Sequence, residues 1–233
     1  MPSTIKLVIF DLAGTTVDDN INGLPLVTVA IQEAFAKAGF PAVKPDLVND
    51  VRGMEKREAI ASLLRKLNIN KEEKLIDKIF ADFKLALDRN LNSINQEIPG
   101  TTDVFKKLKE LGILIGVGSG FPHAVVVKIV QNLKWESYVD FVSSAEKEGH
   151  GRPHPHLIQS AMRDFNVTES KEVVKVGDTR IDIQEGKNAG CWTVAVLTGT
   201  QKRSNLMEEN PDFIIDSIVD IFAVIKQISK SSH

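Results

Sequence analysis

Short runs rich in β-branched and apolar residues recur along the chain, at residues 5–10, 113–118, 173–176, 192–196 and 213–215. They are too short for buried helices, and their composition predicts strands. Between them the apolar spacing lengthens to that of a helix. Within residues 101–111 the apolar positions are Val104, Phe105, Leu108 and Leu111, and residues 156–165 and 181–189 repeat the pattern. Strands that alternate with helices in this way predict an α/β fold, a Rossmann-like parallel sheet wrapped by helices.

Residues 20–96 break the alternation. Helical periods run over 27–38, 56–67 and 72–91 with no clear strand, and Pro99-Gly100 marks the return to α/β alternation. The plain reading is that these helices pack on the sheet. So long a stretch without a strand points instead to a helical cap domain, inserted after the first strand. The expected organisation is a core of residues 1–19 and 97–233 and a cap of residues 20–96.

Composition narrows the function classes. A chain of 233 residues can bury one sizeable core plus an insert. A net charge of -2 gives no electrostatic basis for binding nucleic acid or an acidic membrane. Cys191 is the single cysteine, so no internal disulfide can form, and a reducing, cytoplasmic setting is the expectation. Met1-Pro2-Ser3-Thr4-Ile5-Lys6 carries no basic stretch followed by a long apolar run, so no signal peptide is expected. No apolar run is long enough to span a bilayer.

Four polar motifs each follow a predicted strand or precede a helix. Asp11 ends the first strand and is followed by Gly14-Thr15-Thr16, whose N–H groups and hydroxyls suit a phosphate-like anion. A carboxylate so placed can attack phosphorus, although it can equally cap an Asx turn. Ser119 and Gly120 end the strand at 113–118 and offer a hydroxyl and a free N–H to a phosphoryl oxygen, where an ordinary turn would read the same. Arg152 stands in a proline-stiffened loop before a helix, where a fixed cation can relieve repulsion between a nucleophile and an incoming anion. Its neighbours His150, His154 and His156 have no cysteine close in sequence, and loop histidines are ordinarily solvated, so metal binding is not expected of them. Asp178 and Asp182, with Thr179 between them, complete a hard-oxygen set with Asp11 that favours Mg2+. Asp182 also suits the N-terminus of a helix.

Taken in order, Asp11, Ser119, Arg152 and the acidic pair Asp178 and Asp182 resemble the haloacid dehalogenase superfamily from about residue 5 to 218. Asp11-Leu12-Ala13-Gly14-Thr15-Thr16-Val17-Asp18, Gly151-Arg152-Pro153-His154-Pro155 and Val176-Gly177-Asp178-Thr179 are similar to its phosphonatase branch, the phosphonoacetaldehyde hydrolases. So is the run from Glu185 to Val194. The resemblance implies an aspartyl-phosphate formed on Asp11, phosphoryl oxygens held by Ser119 and Arg152, and Mg2+ held by Asp11, Asp178 and the Ala13 carbonyl. Asp182 and Thr179 would support the metal.

Many phosphatases of this superfamily carry a second aspartate as general acid where this chain has Ala13. In the phosphonatase branch a cap lysine forms a Schiff base with the substrate aldehyde, in the pattern Met-Gly-x-x-Lys-x-x-His. Here Arg52-Gly53-Met54-Glu55-Lys56 places Lys56 on that position and Arg52 and Gly53 on substrate-facing ones. A protonated imine accepts the electron pair of the breaking C–P bond, so no acid is needed beside the nucleophile and Ala13 suffices. Such a lysine needs a lowered pKa, with Arg52 and Arg57 as candidate neighbours. Two other roles stay open for Lys56: a phosphate clamp, which would make the protein a phosphomonoesterase acting on a small phosphorylated metabolite, and an exposed helix lysine. A non-catalytic phosphate-binding module is a further alternative. The expected partner is a small phosphonate or phosphate, with a homodimer as in the family. The chain departs from the branch at Arg52 for methionine, Ala59 for histidine and Phe121 for tyrosine.

Overall fold

Strand β1 (Leu7–Phe10) is completely buried, as its unbroken Leu-Val-Ile-Phe requires in a sheet covered on both faces. The computed structural model describes residues 5–70 and 72–231; the amino-terminal four residues, included in the signal-peptide reading, lie outside them. After β1 come three two-residue strands, β2 (Val17–Asp18), β3 (Asn20–Ile21) and β4 (Leu24–Pro25). Four helices follow: α1 (Leu26–Lys37), α2 (Pro45–Asp50), α3 (Lys56–Lys66) and α4 (Glu73–Leu91). The chain returns through β5 (Gln96–Glu97) and α5 (Thr101–Glu110), then enters β6 (Leu114–Ser119), α6 (His123–Asn132), β7 (Phe141–Ser144), α7 (Ala145–Glu148) and α8 (His156–Asp164). It ends with β8 (Val173–Gly177), α9 (Arg180–Asn188), β9 (Trp192–Val196), α10 (Arg203–Met207), β10 (Phe213–Ile215) and α11 (Ile221–Ser231).

Six strands form one parallel sheet in the order β10-β9-β8-β1-β6-β7. β1 lies between β6 and β8, with Leu7 opposite Leu114 on one side and Val173 on the other. The order therefore reverses at β1, and the carboxyl ends of β1, β6 and β8 open one crevice, the usual ligand position in a doubly wound sheet. Phe10 packs on Phe105 at 5.4 Å, and Phe105 on Trp135 at 5.1 Å, which fixes α5 beneath the sheet. Truncating Phe105 to alanine in so filled a core costs about 3–5 kcal/mol.

The segment between β2 and β5 adds no strand to this sheet. Contrary to the strandless reading of residues 20–96, β3 and β4 form a hairpin around Asn22 and Gly23, both at positive φ, and β5 pairs antiparallel with β2. Two-residue strands carry no period that a sequence could display. The β2–β5 ladder brings the departing and returning chain side by side. α1 and α4 pack together, and Ala30, Ala34, Phe83 and Leu87 on them are buried in the same apolar cluster as Phe10 and Phe105. β7 and α6 were not anticipated either. β7 reads Phe-Val-Ser-Ser, and its serines are buried because Ser143 bonds Glu148 and Ser144 caps α7. α6 carries the run Val125-Val126-Val127, which local preference would place in a strand. Among the described residues no helix is long and apolar enough to cross a membrane.

Candidate active site

Every predicted motif reaches the crevice. Asp11 leaves β1 with its N–H donating to the Val176 carbonyl at 2.9 Å, so the β1–β8 pairing itself sets its backbone. Ser119 is the last residue of β6 and is buried. Thr15 donates its hydroxyl to Asp178 Oδ1 at 2.9 Å, and Thr198 donates to the Gly14 carbonyl at 2.7 Å. Thr179 caps α9 in a reciprocal arrangement with Asp182, which buries Asp182 at the first turn of the helix.

The buried aspartates, glutamates, lysines and arginines of the described residues are Asp11, Asp19, Asp178, Asp182, Glu185, Arg52, Lys56, Arg152 and Lys175. They form one network at this crevice. Arg152 is its hub: Nη1 meets Asp11 Oδ1 at 2.8 Å, Nε meets Glu185 Oε2 at 3.0 Å, and Nη2 bonds Asp182. Lys175 Nζ lies 3.1 Å from Asp182 and 3.3 Å from Glu185. Burial of such charges is tolerated only with partners of opposite sign.

The three aspartates titrate apart. Burial, reinforced by Asp182, raises Asp11 to about 6 against the pull of Arg152. Burial raises Asp178 to about 7, with Arg52 opposing and Asp11 adding to the rise. Burial also pushes Asp182 up, but Arg152, Lys175 and the Thr179 bonds outweigh it and bring it to about 2. Asp182 is thus a fixed anion, whereas Asp11 and Asp178 would gain most from a nearby cation.

The residues fit a divalent metal. Oxygens of Asp11, Asp178 and Asp182 lie within 4.8 Å of one another, and Asp178 Oδ2 is buried with no hydrogen-bond donor. Such hard donors suit Mg2+ better than a softer ion. The oxygens of Asp182 are already engaged by Arg152, Lys175 and Thr179, so it is the least available of the three to a metal. The Ala13 carbonyl accepts from Arg52 Nη2 at 3.1 Å, and Arg52 Nε stands 4.0 Å from Asp178 Oδ2. The guanidinium thus lies against two of the oxygens a metal would use.

The other wall comes from residues 51–56, before and at the start of α3. Gly53 has φ of 89°, and a Cβ there would sit 2.6 Å from Thr179 Oγ1. Across the crevice, a Cβ on Gly120 would come within 2.1 Å of the Met54 carbonyl. Only bare backbone permits this contact. Lys56 is 4 % exposed; its Nζ donates to the Met54 carbonyl at 2.8 Å and sits 5.2 Å above the Phe121 ring. Burial lowers it to about 8, with Asp11 opposing and Arg152 and Arg52 adding to the fall. The cavity enclosed by Asp11, Ala13, Val27, Lys56, Ser119 and Phe121 has about 10 Å³ free, room for roughly one water.

Sequence reasoning nominated Arg57 as a neighbour of Lys56. The structure turns Arg57 outward to Glu73 at 2.5 Å and Asp77 at 2.9 Å, and Arg152 supplies the second cation instead. Residue i+1 on a helix faces away from residue i. Lys175, Glu185 and Asp19 were missed. Lys175 is a charge inside the apolar run of β8, a signal that it has a partner in the core. Glu185 lies one turn beyond Asp182 on α9. Asp19 pairs with Arg52 at 2.9 Å, across a distance in sequence that no local pattern reveals.

The sequence model of haloacid dehalogenase-like hydrolases matches residues 8–196. The chain is 34% identical, over 83% of its length and 76% of the relative's, to a phosphonoacetaldehyde hydrolase of Latilactobacillus sakei. It is 30% identical over 88% of its length to a bifunctional phosphonoacetaldehyde hydrolase/aminoethylphosphonate transaminase of Clostridioides difficile, of which it spans 33%. The crystal structure of a phosphonoacetaldehyde hydrolase-like protein from Oleispira antarctica shares the fold with a TM-score of 0.88 at 24% identity, covering 99% of this chain and 95% of the other.

Proposed function

This chain belongs to the haloacid dehalogenase-like hydrolases, and we propose that it is an Mg2+-dependent phosphonatase-like enzyme that cleaves the C–P bond of a small phosphonate aldehyde such as phosphonoacetaldehyde. The names of its curated relatives support the substrate class. The observation that carries the reading is Lys56. It is a buried amine with its pKa lowered to about 8, sharing a cavity with Asp11, in a chain with no acid at Ala13. At neutral pH that shift enlarges the free-amine fraction about 300-fold over an ordinary lysine.

In this reading the Lys56 amine adds to the aldehyde carbon and water leaves, giving a protonated imine. Asp11 bonds to phosphorus as the C–P bond breaks, and that electron pair passes through the adjacent carbon to the imine nitrogen. The enamine so formed takes a proton at carbon and is hydrolysed to release the aldehyde. Water then hydrolyses the aspartyl-phosphate. Arg152, Ser119 and Gly120 hold phosphoryl oxygens, and Arg52 and Gly53 line the substrate end. Gly14 and Thr15, expected from the sequence to join them, have their N–H groups engaged by the Val17 and Leu12 carbonyls and the Thr15 hydroxyl by Asp178, so they shape the turn instead. A divalent ion on Asp11, Asp178 and the Ala13 carbonyl, supported by Asp182 and Thr179, would neutralise charge between nucleophile and phosphoryl group.

Residues 20–96 act as the cap on a core of 1–19 and 97–233, with the β2–β5 ladder as the hinge. A cavity with room for roughly one water cannot admit a phosphonate, so the loop of residues 51–56 must lift for substrate to enter. The test is borohydride trapping with phosphonoacetaldehyde and Mg2+, mapped by mass spectrometry. A reduced adduct on Lys56 together with phosphate release supports the imine route. Phosphate release from esters with no adduct, rising in Ala13→Asp, would replace it with a phosphomonoesterase in which Lys56 clamps phosphate.

A further inference from the structure

His150, His154 and His156 gather into one cluster on the outer side of the loop between α7 and α8. Each offers a ring nitrogen within 4.8 Å of the others. The rings of His150 and His156 stack at 3.9 Å, and His154 lies 4.7 Å and 4.5 Å from them. This is not the arrangement of separate solvated side chains that the sequence led one to expect. The Nδ1 atoms of His154 and His156 are 2.8 Å apart, so one N–H is shared between two lone pairs. A single cation replacing that proton would satisfy both.

We propose that His150, His154 and His156 form a second metal site, selective for a divalent transition ion such as Zn2+ and distinct from the aspartate cluster. Imidazole nitrogens favour Zn2+, Cu2+, Ni2+ and Co2+ over Mg2+, so the donor chemistry of the two sites does not overlap. Three histidines leave a further position for water, as in three-ligand zinc sites. The Nδ1 of His150 is 3.3 Å from the Glu148 carbonyl. A donating Nδ1–H there leaves the Nε2 lone pair free, the backbone-carbonyl support common behind metal-bound histidines.

The backbone beneath the cluster is pinned, so the rings need little ordering. Arg152, two residues from both His150 and His154, is held by its three carboxylates. Asn188 Nδ2 donates to the Pro153 carbonyl at 2.9 Å, and the His154 N–H donates to the Gly151 carbonyl at 3.0 Å. His156 is fixed as the first residue of α8. Tetrahedral Zn–N bonds of about 2.0–2.1 Å require nitrogens roughly 3.3 Å apart. The His154 and His156 Nδ1 atoms stand at 2.8 Å and all three offered nitrogens lie within 4.8 Å, so modest rotations of these exposed or half-buried rings reach that spacing.

The test is Zn2+ titration of the whole protein in a large excess of Mg2+, followed by long-range 1H–15N NMR of the imidazoles and by metal analysis after desalting. The expected result is retention of one equivalent of Zn2+ and coordination shifts at His150, His154 and His156, while His123 stays unshifted as an internal control. The variant combining His150→Ala, His154→Ala and His156→Ala should lose that equivalent while keeping its circular dichroism spectrum. Retention by the triple variant, a shift at His123 equal to those of the cluster, or no retention by either protein would overturn the proposal.

Discussion

Lys56→Met is expected to make the protein more stable while abolishing imine formation. Folding moves the amine from water, where its pKa is 10.5, to a site where burial lowers it to about 8. The native state therefore binds fewer protons than the unfolded chain between those values, and stability rises with pH across that window. Below about 8 the protein carries the full penalty of a buried ammonium. At neutral pH this is about 2.5 pH units' worth, or ~3 kcal/mol. Methionine fills similar volume over Phe121 with no charge to desolvate. Urea titrations of both proteins at steps from pH 7 to pH 10.5 would measure the difference. The variant should lead by ~3 kcal/mol at pH 7, and the lead should shrink steadily as the pH approaches 10.5. A variant less stable at pH 7, or a pH-independent gap, would refute the reasoning by showing that the amine is solvated in the folded protein.

Three other outcomes follow from the same network. Arg152→Met removes the cation that Asp182, Glu185 and Asp11 share, leaves Lys175 to pair with both Asp182 and Glu185, and should cost about 3–5 kcal/mol in a urea titration. Gly120→Ala drives a Cβ into the Met54 carbonyl, which is backbone and cannot rotate aside; kcat/KM should fall about 100-fold as the loop is held off the crevice. Asp11 at about 6 and Asp178 at about 7 lie above their unfolded values, so without metal their contribution to stability is lost as pH rises from about 4 to 7. Mg2+ must displace those protons, and the shift in Tm it produces should be large at pH 8 and small at pH 5.5.

Much of this protein is decided locally. Runs such as Leu7-Val8-Ile9-Phe10 and Trp192-Thr193-Val194-Ala195-Val196 are strands because no other arrangement buries them. A strand's end fixes where the next polar residue stands. That is why Asp11, Ser119 and Asp178 are legible in the sequence as residues of one crevice. The Thr179 and Asp182 capping pair is equally local. What the sequence does not determine is which charges share a partner. Arg57, next to Lys56 in the chain, reads as its neighbour, and nothing local points to Arg152. Helix geometry turns the first toward α4, and the loop before α8 carries the second beneath the nucleophile. Lys175, Glu185 and Asp19 acquire meaning only when the fold removes water and leaves each needing a counter-charge. The three histidines follow the same rule. Their spacing along the chain looks like a solvated loop, and only the pinned backbone around Arg152 brings their nitrogens within reach of one another.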